Sequence, residues 1–344
     1  MNLLMVGADS PYAIERHYLM HLRDTKLIDK VELFAIQNLF LQYYHKNLFN
    51  KIIFRLGYKR IFQKINEQLL LKITDFKPDV VLVFKGMEVL PDTLEKIRSY
   101  GIKIANYNPD SPFIFSGRGS GNSNVKNSID LYDLHFTYSK EIKEELHQRL
   151  PDIPVEILPF GFELSDELYG KAVLQEEIIR PCFIGNADQY RASFISALAD
   201  KGISIDVFGL YWHKFVNHKN IHCHLARYND DFWMTLRKYR VQLNLMRPHN
   251  ENSHNMRSFE VPAVGGIELA PDNEEHRSFF EDGKEIFLFS NVDECAEHIK
   301  YLLSLGRTEA EEIRFAARNR SLESGYSYKD RAESVARSLR EIIV

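Results

Sequence analysis

The chain is poor in cysteine, has no long apolar run, and carries no large excess of charge of either sign. Its three cysteines, Cys182, Cys223 and Cys295, lie far apart and form no CxxC pair. That spacing argues against a disulfide framework or a cysteine-based zinc module and suits a reducing compartment. No stretch approaches the roughly 18 apolar residues that a membrane-spanning helix needs, so a cytoplasmic protein is expected, with any membrane contact peripheral. A formal net charge of -4 with 44 Lys and Arg gives no overall pull toward nucleic acid, and any bound anion must be met locally. The opening MNLLMVGADSP has only a few apolar residues and no basic leader, and it reads as a buried first strand.

What the chain does have is length and apolar content. Its 344 residues, 44% hydrophobic and 27% charged, suit two globular cores better than one. Short apolar runs alternate with helix-length amphipathic segments, the pattern of parallel sheets. In the first half the predicted strands are 3–6, 31–36, 80–84, 103–106, 134–137 and 155–158, with helices near 12–24, 48–74, 91–100 and 139–149. The series restarts with strands 181–184, 205–208, 221–224, 241–245 and 267–269, between helices near 190–200, 229–239 and 256–264. The expected fold class is α/β: two doubly wound Rossmann-like domains facing across a cleft, 1–163 and 178–328. Residues 164–177 serve as hinge, and a last helix over 329–344 crosses back to the first domain.

The most informative segment is NLMRPHNENSHNMRSFEVPAVGGIELAP, from Asn244 to Pro271. A strand ends, a polar loop follows, and a short helix opens around Asn255, Met256, Arg257 and Ser258 and stops before Gly265 and Gly266. Free amides at a helix start with an arginine beside them suit an anion such as a diphosphate. Glu260, one turn in, is placed to accept the hydroxyls of a ribose. The plain alternative is that Arg257 and Glu260 only pair on a helix surface.

The run NMRSFEVPAVGG resembles the donor-binding segment of the CgeB-type spore-maturation family, a branch of the GT-B fold glycosyltransferases. KPDVVLVFKG, YNPDSP, YDLHFTYS, LPFGF, CFIGNADQYR, DVFGLYW and SYKDRAESV follow the same family's order, from about Lys77 to Val335. The resemblance implies a bacterial enzyme of polysaccharide assembly that holds a nucleotide sugar mainly with its second domain, Glu260 on the ribose and Arg257 on the diphosphate. Related retaining enzymes carry an acid eight positions before that glutamate. Here Asn252 stands there, with Glu251 and His254 as neighbours able to take its place.

Other candidates surround this core. Gly185, Asn186 and Arg191, in the turn FIGNADQYR, suit a phosphate cradle, while Gly209 and Tyr211, after DVF, are placed for the base and ribose. In the first domain a general base for an acceptor hydroxyl must be a carboxylate or imidazole, and Asp110 of YNPDSP and Asp9 of GADS are the two choices, with Lys85 and Glu88 facing the same groove. Residues 48–73 combine apolar positions with Lys51, Arg55, Lys59, Arg60 and Lys64. They form either a core-facing helix with a solvated basic side or a peripheral contact with an anionic membrane. His222 and His224 lack a third ligand at recognisable spacing, and no DxD triplet is present, so no metal and no cofactor are expected. The expected activity is metal-independent transfer of a sugar from a UDP, dTDP or GDP carrier to a hydroxyl of a glycan, lipid-linked or protein acceptor. The rivals are a non-catalytic nucleotide- or glycan-binding coat protein and a nucleotide-sugar epimerase.

Overall fold

The computed structural model describes residues 1–57, 59–115, 119–246 and 252–343. The chain divides into two compact units, Met1–Pro159 with Tyr328–Val344, and Phe160–Ser327.

In the first unit, strands β1 (Asn2–Val6), β2 (Lys30–Phe34), β3 (Val80–Phe84), β4 (Lys103–Asn108), β5 (Leu134–Thr137) and β6 (Val155–Ile157) form one sheet in the order β2-β1-β3-β4-β5-β6. All pairings are parallel, with Leu3 opposite Val80 and Val80 opposite Lys103. Alternate side chains of one strand feed two different cores. Leu3, Met5 and Leu82 pack with Tyr18, Leu22 and the last helix, whereas Leu4, Val6, Val81 and Val83 pack with Ile65, Leu69, Leu94 and Ile97. A strand covered on both faces is apolar at every position, which explains the unbroken VVLVF of β3.

The second unit repeats the plan with β7 (Ile178–Ile184), β8 (Ile205–Phe208), β9 (Ile221–His224), β10 (Tyr239–Leu243), β11 (Glu268–Pro271) and β12 (Phe287–Phe289), in the order β12-β11-β10-β7-β8-β9 and again all parallel. Strand β12 was not predicted: three residues, FLF, are too short to stand out from sequence.

Other expectations are corrected. Residues 164–177 are no bare hinge, because they carry the helix Asp166–Val173, which packs on the helix Asn229–Lys238. Leu164, Leu168 and Ala172 join a core of the second unit. The single helix expected over 48–74 is two, Leu48–Arg55 and Arg60–Phe76, parted at Gly57 with φ +84. Ile36, expected at the end of a strand, starts the helix Ile36–His45. The last helix, Tyr328–Glu341, does belong to the first unit, with its Tyr328 ring edge-on to Tyr18 at 5.7 Å.

Candidate functional site

Each sheet reverses its winding once, between β7 and β10 in the second unit and between β1 and β3 in the first. At such a point the loops leaving adjacent strands diverge and open a crevice beyond their carboxyl ends, where parallel sheets bind ligands.

In the second unit both predicted donor segments lie at this point. The loop after β7 holds Gly185, Asn186 and Arg191, and β10 leads through Leu245 toward the helix Arg257–Ala263. Arg191 joins the two: its Nε and Nη2 donate to the Leu245 carbonyl at 3.2 and 3.0 Å, and Nη1 reaches the Asn186 carbonyl at 3.4 Å. Its helix is capped by Asp188, which accepts from the Arg191 amide at 3.0 Å. The loop after β8 closes on the same place, since Asn186 Oδ1 accepts from the Leu210 amide at 2.9 Å and Trp212 Nε1 donates to the Gly185 carbonyl at 2.9 Å. A Cβ on Gly209 would collide with that carbonyl, so only glycine lets the two loops approach. Tyr211 beside it is exposed and takes a left-handed φ of +71. A pocket of about 210 Å³ opens nearby, lined by Tyr190, Leu245, Met246, Asn252 and Asp272 among others.

The helix start differs from the sequence expectation of free amides. Asn255 Oδ1 accepts from the Arg257 amide at 2.7 Å, Asn255 O from Ser258 at 3.2 Å, and Met256 O from Phe259 and Glu260 at 3.1 and 3.0 Å. The first turn thus satisfies its own donors, and an incoming anion would have to be met chiefly by the Arg257 side chain. That guanidinium lies 4.3 Å from the centre of the Phe232 ring, pairs with Glu260 Oε2, and keeps a buried Nε without a hydrogen bond. Glu260 is buried, which raises its carboxyl pKa, and Arg257 opposes that rise.

Beneath this pair runs a polar network. Asn244 Nδ2 donates to Glu268 Oε1 at 2.8 Å and lies 3.2 Å from Ser258 Oγ, and Asn255 Nδ2 donates back to Asn244 Oδ1 at 2.8 Å. His276 Nδ1 faces the Pro271 carbonyl at 2.8 Å, so it carries the proton; its Nε2 then accepts from Ser258 Oγ at 2.9 Å. Burial holds that imidazole near a pKa of about 4, hence neutral. His254 is fully buried, with Nδ1 at 2.6 Å from Glu275 Oε2 and Nε2 accepting from the Phe160 amide at 3.3 Å. Its ring braces the loop and presents no free imidazole to a substrate. Glu251, weighed with it, lies outside the described residues.

In the first unit, Lys85 follows β3 with a left-handed φ of +62 and reaches Asp110 Oδ2 at 2.5 Å. A non-glycine residue in that conformation stores strain of a kind that gathers at functional sites. Glu15 lies under the loop after β1 and accepts from the Ala8 amide at 2.9 Å. Burial raises its pKa against that bond and the Lys85 charge. Glu88 is pushed up to about 7 by burial, with Lys85 opposing and Glu15 adding to the rise. Asp9 is more exposed and is held by Arg16 at 2.9 Å, while its amide donates to Asn38 at 2.8 Å. Elsewhere, His222 lies 3.0 Å from Ser204 Oγ and His224 2.5 Å from Asp206 Oδ1.

Residues 191–337 match a family model described as glycosyl transferase-like, a span of less than half the chain that takes in Arg191, Gly209, Tyr211 and the whole Asn255–Glu260 segment. A glycosyltransferase from Rickettsia africae is similar at 13% identity, with 99% of this chain and 98% of that one covered and a TM-score of 0.69. HepE from Anabaena, solved in complex with UDP-glucose, is similar at 13% identity over 99% of this chain and 100% of that one, TM-score 0.65. A UDP-GlcNAc 2-epimerase from Neisseria meningitidis, solved with UDP-GlcNAc, is similar at 15% identity over 99% and 100%, TM-score 0.56. A search of curated protein sequences gives no match. The chain has the GT-B fold. Together with the glycosyl transferase-like segment, the GT-B fold supports glycosyl transfer in general terms.

Glu15, Glu268 and His276, all buried, were not singled out from sequence. The one usable signal was Glu268 itself, an acid inside the otherwise apolar strand ELAP.

Proposed function

We propose that this GT-B chain is a glycosyltransferase of the CgeB-type branch that moves a hexose-type unit from a UDP, dTDP or GDP carrier to an acceptor hydroxyl without a metal. The carrying observation is that the two donor segments, far apart in sequence, meet at the switch point of the second sheet and are bridged there by Arg191. Arg257 would meet the diphosphate, where its charge offsets that of the leaving group. Glu260 uses Oε2 for Arg257, and its second oxygen is assigned to the ribose. Gly185, Asn186, Gly209 and Tyr211 would border the rest of the nucleotide. On the acceptor side, Asp110, oriented by Lys85, takes the hydroxyl proton, and Asp9 is the alternative; burial removes His254 from the chemistry.

A thermal-shift panel of UDP, dTDP, GDP, ADP and CMP tests the reading. One nucleoside diphosphate should raise the melting temperature, since a ligand at a hundred times its Kd adds about 2.7 kcal/mol, and EDTA should leave that rise intact. Glu260→Gln should remove the rise while barely moving the empty protein. Silence from all five nucleotides would sink the proposal. Epimerised sugar nucleotide formed without an acceptor would move the assignment to the epimerases, and tight binding without turnover on any acceptor would favour a coat protein.

A further inference from the structure

The segment between Glu32 and Glu67 contains no acidic residue, yet it holds Lys46, Lys51, Arg55, Lys59, Arg60 and Lys64. Within it the helix Leu48–Arg55 is anchored by its inner side. Asn47 caps it by accepting from the Asn50 amide at 2.8 Å, and Asn50 Nδ2 donates to the Tyr43 carbonyl at 2.6 Å. Phe54 packs against Phe40, Tyr44 and Phe62, with ring centres 5.1, 5.4 and 5.6 Å away. With that side used, the outer side should be polar if water were its only neighbour. Instead Leu48 is 72% exposed, Phe49 60% and Ile52 47%, with Leu56 just beyond at 68%. These positions fall within one arc of about 100° at helical spacing, so they form one apolar strip. Of the two readings that the sequence allows for residues 48–73, the core-facing one fails at Phe49, Ile52 and Leu56 and holds for Ile65, Leu69 and Ile73 of the following helix.

Beside the strip a pocket of about 210 Å³ is lined by Lys46, Arg60 and Lys64 together with Tyr43 and Phe49. Lys64 Nζ stands 4.7 Å from the Tyr43 ring centre. Apolar side chains directed outward and flanked by cations that form no ion pair among the described residues match the two-layer chemistry of a lipid surface, acyl chains below and phosphates above. We propose that the helix Leu48–Arg55 and this pocket form a docking surface for an anionic bilayer. Leu48, Phe49 and Ile52 enter the acyl boundary, and a lipid phosphate is held by Lys46, Arg60 and Lys64. The helix Arg60–Phe76 also carries Asn66, which bonds the Glu88 carbonyl at 2.8 Å and the Leu90 amide at 3.0 Å. The surface is therefore tied, within the first unit, to the loop that bears Lys85. A glycosyl acceptor carried on lipid would suit such a placement, although the docking surface does not depend on the glycosyl-transfer reading.

Sedimentation of the full chain with vesicles tests the proposal. Phosphatidylglycerol-containing vesicles should carry the protein down, less so as salt is raised, and pure phosphatidylcholine vesicles should carry little. The variant Leu48→Ser/Phe49→Ser/Ile52→Ser and, separately, Lys46→Ala/Arg60→Ala/Lys64→Ala should each lower the bound fraction by on the order of tenfold. Leu174→Ser, at an exposed apolar position of the second unit, should change nothing. If the triple serine variant fails to fold by circular dichroism, Phe49→Ser alone serves the same comparison. Absence of sedimentation with anionic vesicles, or equal sedimentation of wild type and variants, would overturn the proposal. So would a dimer in light scattering that Phe49→Ser abolishes, since the strip would then be covered by a second copy. Nucleotide-induced stabilisation, measured on the same samples, reports on glycosyl transfer alone and separates the two failures.

Discussion

Glu268 shows how much chemistry one buried side chain can carry. It is fully buried in β11, accepts from Asn244 Nδ2 at 2.8 Å through Oε1, and leaves Oε2 without a partner. Burial pushes its pKa up to about 8, against the hydrogen bond from Asn244 and the charge of Arg257. The folded protein therefore holds a proton there that the unfolded chain releases near 4.5. Between those values the native state binds more protons than the unfolded one, so stability contributed at low pH is lost as pH rises toward 8. Glu268→Gln keeps the shape and cannot ionise. The melting temperature of the variant relative to wild type should be higher at pH 8 than at pH 5, and a pH-independent difference would show that Glu268 is already ionised in the folded protein. Arg257 and Glu260 stand out in the sequence as candidates because a short motif carries both. Glu268 does not, because its altered acidity comes from burial and from the contact with Asn244, which only the folded chain supplies.

At the scale of elements, the last helix shows what amphipathic spacing can and cannot reveal. Tyr328, Ala332, Val335, Ala336 and Leu339 recur at helical intervals and are all buried in the first unit. The helix was readable from that spacing, and its return to the first domain was an expectation the structure meets. Its packing partners, the rings of Tyr18 and His17 among them, could not be named in advance. Leu339→Ala should destabilise the first unit by roughly 2 to 5 kcal/mol, the cost of a cavity left by a large buried side chain, as read from chemical denaturation. A loss below about 1 kcal/mol would mean that the helix is held only weakly. The helices Leu48–Arg55 and Arg60–Phe76 teach the converse. Their apolar positions read as one periodic run, yet the break at Gly57 leaves the first helix with its strip outward and the second with its strip in the core.

At the scale of the molecule, two units with separate cores and separate switch points allow one ligand to act unevenly. If the second unit binds the nucleotide, UDP or whichever diphosphate proves active should slow hydrogen exchange most around Gly185–Arg191 and Asn255–Glu260. Greatest protection in the strands of the first unit would displace the donor site from where it is proposed. The sequence by itself determined the α/β class, the two tandem series and most of the strands, because strands buried on both faces must be apolar throughout and such runs are visible in one dimension. It also singled out Arg191, Arg257 and Glu260 as candidates for the donor site. Only the tertiary structure decided that the helix start at Arg257 satisfies its own amides, that His254 is a brace, that Glu268 is buried and its pKa raised, and that Phe49 faces outward. Exposure, pKa and free hydrogen-bonding capacity depend on neighbours brought together from distant parts of the chain, and local patterns do not encode those neighbours.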